Sequence, residues 1–266
     1  MAAIEDEVFY TGILSFFSFC VSCRLYLCRQ KKHFRAICSS APKKITEGYS
    51  VLLEGMDLSG KSSAFEGLKK YFSDEEIEHR CSRNSLIPES ENPLAVAAHI
   101  LRTDPEVNRW ETGALFYRSH MHEVGEFKGP KKGMFHLQDS CFLRTISYNA
   151  VLKTRFGDES LEDLLYKNVV PLRPYFDVII VLRATMEKRV ERLKQRENES
   201  LNSCDFDDRK VGTNPEIFSE MEEELWAVTK NLYEGAVQID TSDLSKQDVL
   251  TKIIRTIEEI LHLKSN

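Results

Sequence analysis

The chain has 266 residues and a net charge of −6, which argues against a protein that binds nucleic acid through a basic surface. Its length allows one large α/β domain or two small ones, with a core of ordinary size. The seven cysteines are scattered along the chain, and the one Cys-x-x-Cys spacing, Cys20 to Cys23, has no second pair. The sequence therefore predicts neither a disulfide framework nor a zinc site, and we expect reduced thiols.

The first 46 residues differ from the rest in charge and hydropathy. They carry seven Lys and Arg against three Asp and Glu, so the remaining chain carries a net charge of −10. An apolar run over residues 8–23 is followed by basic residues, and no acidic residue occurs between Val8 and Thr46. We predict that residues 1–46 are a targeting or anchor segment outside the fold, which then comprises residues 47–266.

Two interpretations of this segment stay open. A transit peptide to a mitochondrion or chloroplast fits the basic, acid-poor composition but not the acidic residues at positions 5–7. A membrane anchor that leaves the rest of the chain in the cytoplasm would contact the membrane only through residues 8–28, if these are not cleaved. The apolar run is shorter than the roughly 20 residues that a spanning helix needs. A secretory signal is disfavoured because the charge follows the apolar run.

Residues 49–63 read YSVLLEGMDLSGKSS and contain the P-loop spacing Gly-x-x-x-x-Gly-Lys-Ser. A short apolar strand precedes the loop, and an amphipathic helix follows it. Glycine lets successive backbone N–H groups wrap closely around phosphates, and the helix start adds its positive dipole end. The pattern predicts binding of ATP with Mg²⁺. Lys61 would neutralise the β and γ phosphates, Ser62 would hold Mg²⁺, and the nucleotide-binding loop comprises Gly55, Met56, Asp57, Leu58, Ser59, Gly60, Lys61, Ser62 and Ser63.

The rest of the chain alternates between strand-like and helix-like patterns. Further strands are predicted at Glu78–Arg83, Met134–Leu137, Val178–Leu182 and Val237–Ile239. Helices are predicted at about 94–101, 107–124, 140–156, 185–197, 216–232 and 246–263. The continuous apolar run VIIVL is typical of a strand in a parallel sheet. Together these elements predict an α/β protein with three α/β/α layers and a parallel five-stranded sheet.

The loop sequence EGMDLSGKSS resembles that of the thymidylate kinase family, E-G-x-D-x-x-G-K-[ST]-[ST]. The guanine-reading motif Asn-Lys-x-Asp of ordinary GTPases is absent from the sequence. The resemblance extends over most of residues 47–266 and implies a P-loop NTPase fold with a helical and loop lid. It implies a nucleoside monophosphate kinase that moves the γ-phosphate of ATP to a (deoxy)pyrimidine monophosphate, with a dTMP-like acceptor favoured. The implied catalytic residues are Lys61, Asp57, Asp139, Arg192 and Arg196.

The same resemblance implies a substrate site and a metal site. Asp57 matches the loop carboxylate that lies near the acceptor in the family, and Asp139 would position Mg²⁺ together with Ser62, or would cap a helix. Phe116 would stack on the acceptor base, or would be an ordinary core aromatic. The basic helix that holds Arg189 would lead into a lid at 197–214, or would be a solvated charged helix. The implied substrate-binding residues are Asp57, Arg83, Phe116, His120, Arg144 and Tyr148.

Two positions depart from the family pattern. Ser140 stands where the family has an arginine after the strand-end aspartate, and His120 stands where it has an arginine near the acceptor base. Arg83, Arg118 or Arg144 are candidates to replace these contacts. The departures leave two alternatives open, a deoxynucleoside kinase and a non-catalytic ATP-binding protein of the same fold. The expected partners are small-molecule nucleotides and no nucleic acid, and the resemblance suggests a homodimer.

Overall fold

The computed structural model describes residues 48–101, 109–156, 175–199 and 211–265. The predicted strands and helices are confirmed there, with boundaries that differ by a few residues. In chain order they are β1 Tyr49–Glu54, α1 Lys61–Asp74, β2 His79–Arg83, α2 Pro93–Leu101, α3 Arg109–Glu126, β3 Phe135–Asp139, α4 Leu143–Phe156, β4 Val178–Arg183, α5 Met186–Glu199, α6 Pro215–Leu232, β5 Val237–Asp240 and α7 Lys246–Ser265.

Some sequence predictions concern other parts of the chain. The targeting or anchor segment at 1–46 and the middle of the predicted lid, 200–210, lie outside the described residues. Within the described ranges, no helix is both long enough and apolar enough to cross a bilayer.

The five strands form one sheet in the order β2-β3-β1-β4-β5. All four pairings are parallel, which confirms the predicted sheet. The central strand β1 pairs with β3 on one side and with β4 on the other. In open parallel sheets, ligands bind beyond the carboxyl ends of the strands at such a branch point in strand order. The loop after β1 therefore lies at the expected ligand-binding edge.

One face of the sheet packs on α1 and α7. Side chains of β1, β3, β4 and β5 meet Phe65 and Leu68 of α1 and Ile253 of α7 in a continuous apolar cluster. Burial of each large apolar side chain contributes about 1.5–3 kcal/mol to stability. This cluster fixes α1, and with it the Gly60-Lys61 junction, against the end of β1.

The opposite face of β3 is polar although it is buried. His136 is 1% exposed, and its Nε2 lies 2.7 Å from the hydroxyl of Ser82. The Ser82 hydroxyl donates to Oε1 of Gln138 at 2.6 Å, and Nε2 of Gln138 donates to the carbonyl oxygen of Ser140 at 2.9 Å. Burial, assisted by the charge of Arg80, lowers the pKa of His136 to about 3, so the imidazole is neutral.

We expect His136 to make the folded protein sensitive to acid. Its pKa falls from 6.5 to about 3 on folding, so between these values the unfolded state binds a proton that the folded state does not. The free energy of unfolding therefore decreases as the pH falls, by about 2 kcal/mol between pH 6.5 and 5 from this one group. Urea unfolding of the wild type and of His136→Phe at both pH values measures this effect. An equal pH dependence in the two proteins would contradict the prediction.

Candidate active site

The P-loop is closely packed and ready to receive an anion. Gly55 has φ +153°, and a Cβ atom there would lie 2.5 Å from the carbonyl oxygen of Leu182. Gly60 has φ +93° and is the residue before α1, whose first turn has no side-chain cap among the described residues. The first N–H groups of a helix need an outside acceptor, and a phosphate supplies one. Leu58 also lies in the left-handed region, at φ +64°, where a branched side chain is strained.

Helix α5 holds this loop from one side. Nε of Arg189 donates to the carbonyl oxygen of Asp57 at 2.8 Å, and Nη1 of Arg192 donates to that of Leu58 at 2.9 Å. Nη2 of Arg192 also donates to the carbonyl oxygen of Thr241, at 2.7 Å. Arg189 is 0% exposed, so the alternative of a purely solvated charged helix is wrong for this face of α5.

Thr241 directly follows β5, in the turn before α7. Its hydroxyl donates to the carbonyl oxygen of Ser59 at 2.8 Å, so this segment contacts the P-loop directly. Arg196, the other predicted catalytic arginine of α5, is half-buried near the end of the helix. Its predicted role at the transferring phosphoryl group stays a prediction.

Lys61 and Asp139 form an ion pair where β1 and β3 end. Nζ of Lys61 donates to Oδ1 of Asp139, and the two residues are 9% and 5% exposed. Nε of Arg83 lies 3.8 Å from Oδ2 of the same carboxylate, and Nη2 of Arg83 donates to Glu66 at 2.6 Å. The pair holds the Lys61 ammonium group beside the Asp139 carboxylate, and the phosphates of a bound nucleotide would compete with that carboxylate for it.

The donors near the loop fit Mg²⁺. Magnesium prefers oxygen ligands and is usually held by one or two carboxylates together with phosphates and water. Asp139 supplies one carboxylate, and Ser62 supplies an exposed hydroxyl in the first turn of α1. Among the described residues, no group of three or more His, Cys, Asp and Glu side chains could hold a metal ion without such phosphates.

Asp57 and Arg144 form the second ion pair of the site. Nη2 of Arg144, on α4, lies 2.7 and 2.8 Å from the two carboxylate oxygens of Asp57. Burial alone would raise the pKa of Asp57, but the charges of Arg144, Lys61 and Arg189 outweigh it and hold the pKa below its ordinary value. Asp57 is therefore ionised, and Arg144 is the cation beside it. Position 140, where the family pattern has an arginine, holds a serine in this chain.

The side chain of Ser140 has its hydrogen-bond partner inside the protein. Its backbone has φ +64°, and its hydroxyl donates to Oε1 of Glu54 at 2.8 Å. Glu54 is 0% exposed and also accepts from the backbone N–H groups of Gly55 and Cys141, both at 3.0 Å. Burial raises the pKa of Glu54, although the charges of Lys61 and Arg144 oppose the rise. Ser140 and Glu54 therefore join the start of the P-loop to the end of β3.

The remaining predicted substrate residues lie on α3 and α4. Phe116 is half-buried, with its ring centre 5.1 Å from that of His99 on α2. Nδ1 of His120 bonds to Glu123 at 2.9 Å, and its Nε2 lies 3.3 Å from the hydroxyl of Thr145. Both nitrogens of His120 thus have partners inside the protein. Tyr148 is half-buried on α4, one turn beyond Arg144.

The structure thus brings Lys61, Asp139, Asp57, Arg144 and Arg83 together at one end of the sheet. Sequence reasoning gave no role to Glu54, and it placed Arg189 on a basic helix before the lid without predicting its burial. One signal for Arg189 was available, because Glu222 interrupts the apolar face of α6 and a carboxylate there requires a cation. Nη1 of Arg189 lies 4.0 Å from Glu222.

The fold is similar to solved structures, among them a thymidylate kinase from Candida albicans. The two share 15% sequence identity and a TM-score of 0.56 over 80% of this chain and 92% of that chain. No family model matches the sequence. No curated protein matches it either. At this level of identity the likeness shows the fold, which is that of a P-loop kinase.

Proposed function

We propose that this protein is a nucleoside monophosphate kinase that transfers the γ-phosphate of ATP to a (deoxy)pyrimidine monophosphate, with dTMP-like acceptors favoured. The observation that carries the proposal is a pair of arginines beside two carboxylates. Arg83 lies next to Asp139 at the end of β3, and Arg144 lies next to Asp57 in the loop after β1. An acceptor that carries a phosphate needs such cations next to the P-loop. The family positions at 120 and 140 do not supply them, and these two arginines come from other positions.

Catalysis would consist of placing two anions in line and neutralising their charge. A phosphate oxygen of the acceptor attacks the γ phosphorus, and the bond from that phosphorus to the bridging oxygen of ADP breaks. Lys61 and the N-terminus of α1 hold the transferred group and the phosphate that leaves with ADP. Arg83 and Arg144 hold the acceptor phosphate, and Asp57 lies close enough to Arg144 to orient its guanidinium group. Mg²⁺ at Ser62 and Asp139 would add positive charge at the ATP phosphates.

Two alternatives retain specific support. Ser140 and His120 stand where the family has arginines that hold the acceptor's phosphate or base, and both side chains bond within the protein, which favours a deoxynucleoside kinase. The same loss is compatible with a non-catalytic ATP-binding protein that keeps the P-loop for regulation or assembly. The intact pairs Lys61–Asp139 and Asp57–Arg144 favour an enzyme over the second alternative.

The proposal is tested with the full chain, ATP·Mg²⁺ and a panel of acceptors, by following release of ADP. The panel contains dTMP, dUMP, UMP, CMP, dCMP, thymidine and deoxycytidine. We expect ADP release with monophosphates, with dTMP preferred. Release with nucleosides alone would replace the proposal by the deoxynucleoside kinase, and ATP binding without acceptor-dependent release would replace it by the non-catalytic protein.

Arg144→Met is expected to weaken acceptor binding selectively. The substitution keeps the length of the side chain but removes a charged hydrogen bond, so KM for the monophosphate rises by about ten- to a hundredfold while KM for ATP changes little. Steady-state kinetics with each substrate varied in turn measures both constants. Arg118→Met is the matched control, since Arg118 is an exposed arginine on α3. A larger effect from Arg118→Met would transfer the role to that residue.

Homodimerisation and organellar targeting are part of the same proposal. Light scattering after size-exclusion chromatography distinguishes a dimer from a monomer. A fluorescent fusion at the C-terminus, with and without residues 1–46, tests whether that segment directs the protein to a mitochondrion or chloroplast, or anchors it to a membrane.

A further inference from the structure

A cavity of about 470 Å³ lies at the edge strand β2. Its walls come from β2, the loop that follows β2, the last turn of α3 and the start of β3. The lining includes Arg80, Ile87, Glu91, Glu126, Lys128 and His136. Its volume is within the range of small-molecule sites, about 300–1,000 Å³.

This cavity is separate from the P-loop. His136 pairs in register with Arg80 of β2, whereas Asp139 pairs with Arg83. Three residues of strand place these two levels about 10 Å apart. Because side chains alternate along a strand, an offset of three also places His136 and Asp139 on opposite faces of the sheet.

His136 lines the cavity, and one of its ring nitrogens has no hydrogen-bond partner among the described residues. The Ser82 hydroxyl gives its one proton to Gln138, so Nε2 of His136 must donate to the Ser82 oxygen. In the neutral ring, Nδ1 then carries a lone pair. This atom is buried and has no hydrogen-bond partner within the described part of the chain. A buried polar atom of this kind calls for a partner that the protein does not provide.

The other groups define the partner's chemistry. The lining contains two cations, Arg80 and Lys128, and two carboxylates, Glu91 and Glu126, so its formal charges balance and favour an uncharged ligand. The guanidinium carbon of Arg80 lies 5.3 Å from the ring centre of Phe127, and apolar side chains such as Ile87 complete the walls. Arg80 and Phe127 thus contact each other and form one wall, against which a flat ring stacks, and Arg80 would donate to an acceptor on that ring.

We infer that this cavity is a binding site for a neutral nucleobase or its nucleoside. An N–H group of the base donates to Nδ1 of His136, and a neighbouring carbonyl oxygen or ring nitrogen accepts from Arg80. Phosphorylated ligands are disfavoured, because they would bring negative charge next to Glu91 and Glu126. The site is independent of the proposed kinase activity, since it shares none of its residues.

Hydrogen bonds connect this site to the P-loop. The chain runs from His136 through Ser82 to Gln138, then to the carbonyl oxygen of Ser140. The Ser140 hydroxyl continues it to Glu54, which accepts from the N–H of Gly55. A ligand bound at His136 therefore contacts a hydrogen-bond network that reaches the P-loop. Any free-energy coupling between the two sites is reciprocal.

The test is isothermal titration of the full chain with uracil, uridine, adenine, adenosine and inorganic phosphate. We expect a base or nucleoside to bind, and Arg80→Met and His136→Phe each to weaken that binding by about tenfold or more. Arg255→Met, which alters an exposed cation on α7, and Arg144→Met, which alters the acceptor side, are expected to leave the affinity within about twofold. Nitrogen NMR of the histidine side chains supplies a direct readout, because Nδ1 of His136 shifts when it accepts a hydrogen bond.

Three results would overturn the inference. They are no binding of any base or nucleoside, binding of phosphate alone, and binding that neither Arg80→Met nor His136→Phe weakens. Loss in Arg144→Met with retention in Arg80→Met would assign the ligand to the acceptor side of the kinase site. Because Arg80→Met is expected to keep phosphoryl transfer, failure of this site and failure of the proposed activity give different results.

Discussion

Replacing Lys61 by alanine is expected to lower turnover by at least about 10²–10³-fold, the usual cost of losing one preorganised charged donor at a reacting centre. Lys61 is the cation that follows the P-loop glycine, and it is nearly buried against Asp139. Its loss removes positive charge from the phosphates and leaves the buried carboxylate without its closest cation. We therefore expect kcat to fall together with the affinity for ATP, as measured by ADP release and by titration of ATP.

Lys70→Ala is the matched control for this prediction. Lys70 lies on the same helix and also pairs with a carboxylate, Asp74, but its side chain is 75% exposed. Exposed pairs contribute little, so turnover and stability are expected to stay near wild type. Urea unfolding of both variants separates a loss of chemistry from a loss of folding. Wild-type turnover in a folded Lys61→Ala variant would remove Lys61 from the mechanism.

Replacing Arg189 by methionine is expected to destabilise the protein by about 3 kcal/mol or more, the range for removing one partner of a buried ion pair. Arg189 is fully buried and lies 4.0 Å from Glu222, whose pKa is raised by burial against the opposing charge of Arg189. The substitution also removes the donor to the carbonyl oxygen of Asp57. We therefore expect lower ATP affinity as well as lower stability, measured by urea unfolding and by titration.

Two further variants test the reason for this effect. Lys188→Met alters the neighbouring residue, whose pair with Glu191 is exposed, and is expected to change stability little. The double variant Arg189→Met, Glu222→Leu removes both charges, so much of the lost stability should return. ATP affinity should stay low, because the Asp57 carbonyl still lacks its donor. Full recovery of ATP affinity in the double variant would mean that Arg189 does not position the loop.

The sequence was sufficient to predict the P-loop and the parallel sheet. A phosphate-binding loop needs glycines at fixed spacing next to a strand and a helix, so the pattern at 55–62 carries its own structural context. The strands of a parallel sheet are apolar on both faces, which made Val178–Leu182 recognisable without any partner. These signals are local in the chain, and local backbone requirements are legible in residue order.

The acceptor side of the site depended on the tertiary structure. In sequence, Arg144 is out of register with the arginine that the family pattern places at 140. Because Arg144 lies one helical turn after position 140, its guanidinium still reaches Asp57. Likewise, α5 reads as a charged surface helix, although Arg189 lies at its buried side. Whether a charge is solvated or buried depends on the element packed against it, and here that element is α6.

What the sequence alone determined is therefore the fold class, the phosphate-binding loop and the approximate positions of most elements. Each of these follows from backbone geometry and from the period of apolar residues within one segment. Only the tertiary structure decided which charges meet, where His136 lies with its unsatisfied nitrogen, and how Ser140 joins Glu54 to the end of β3. These contacts join residues that are far apart in the sequence, 86 positions in the case of Ser140 and Glu54. Their energy depends on distance and burial that no spacing in the sequence encodes.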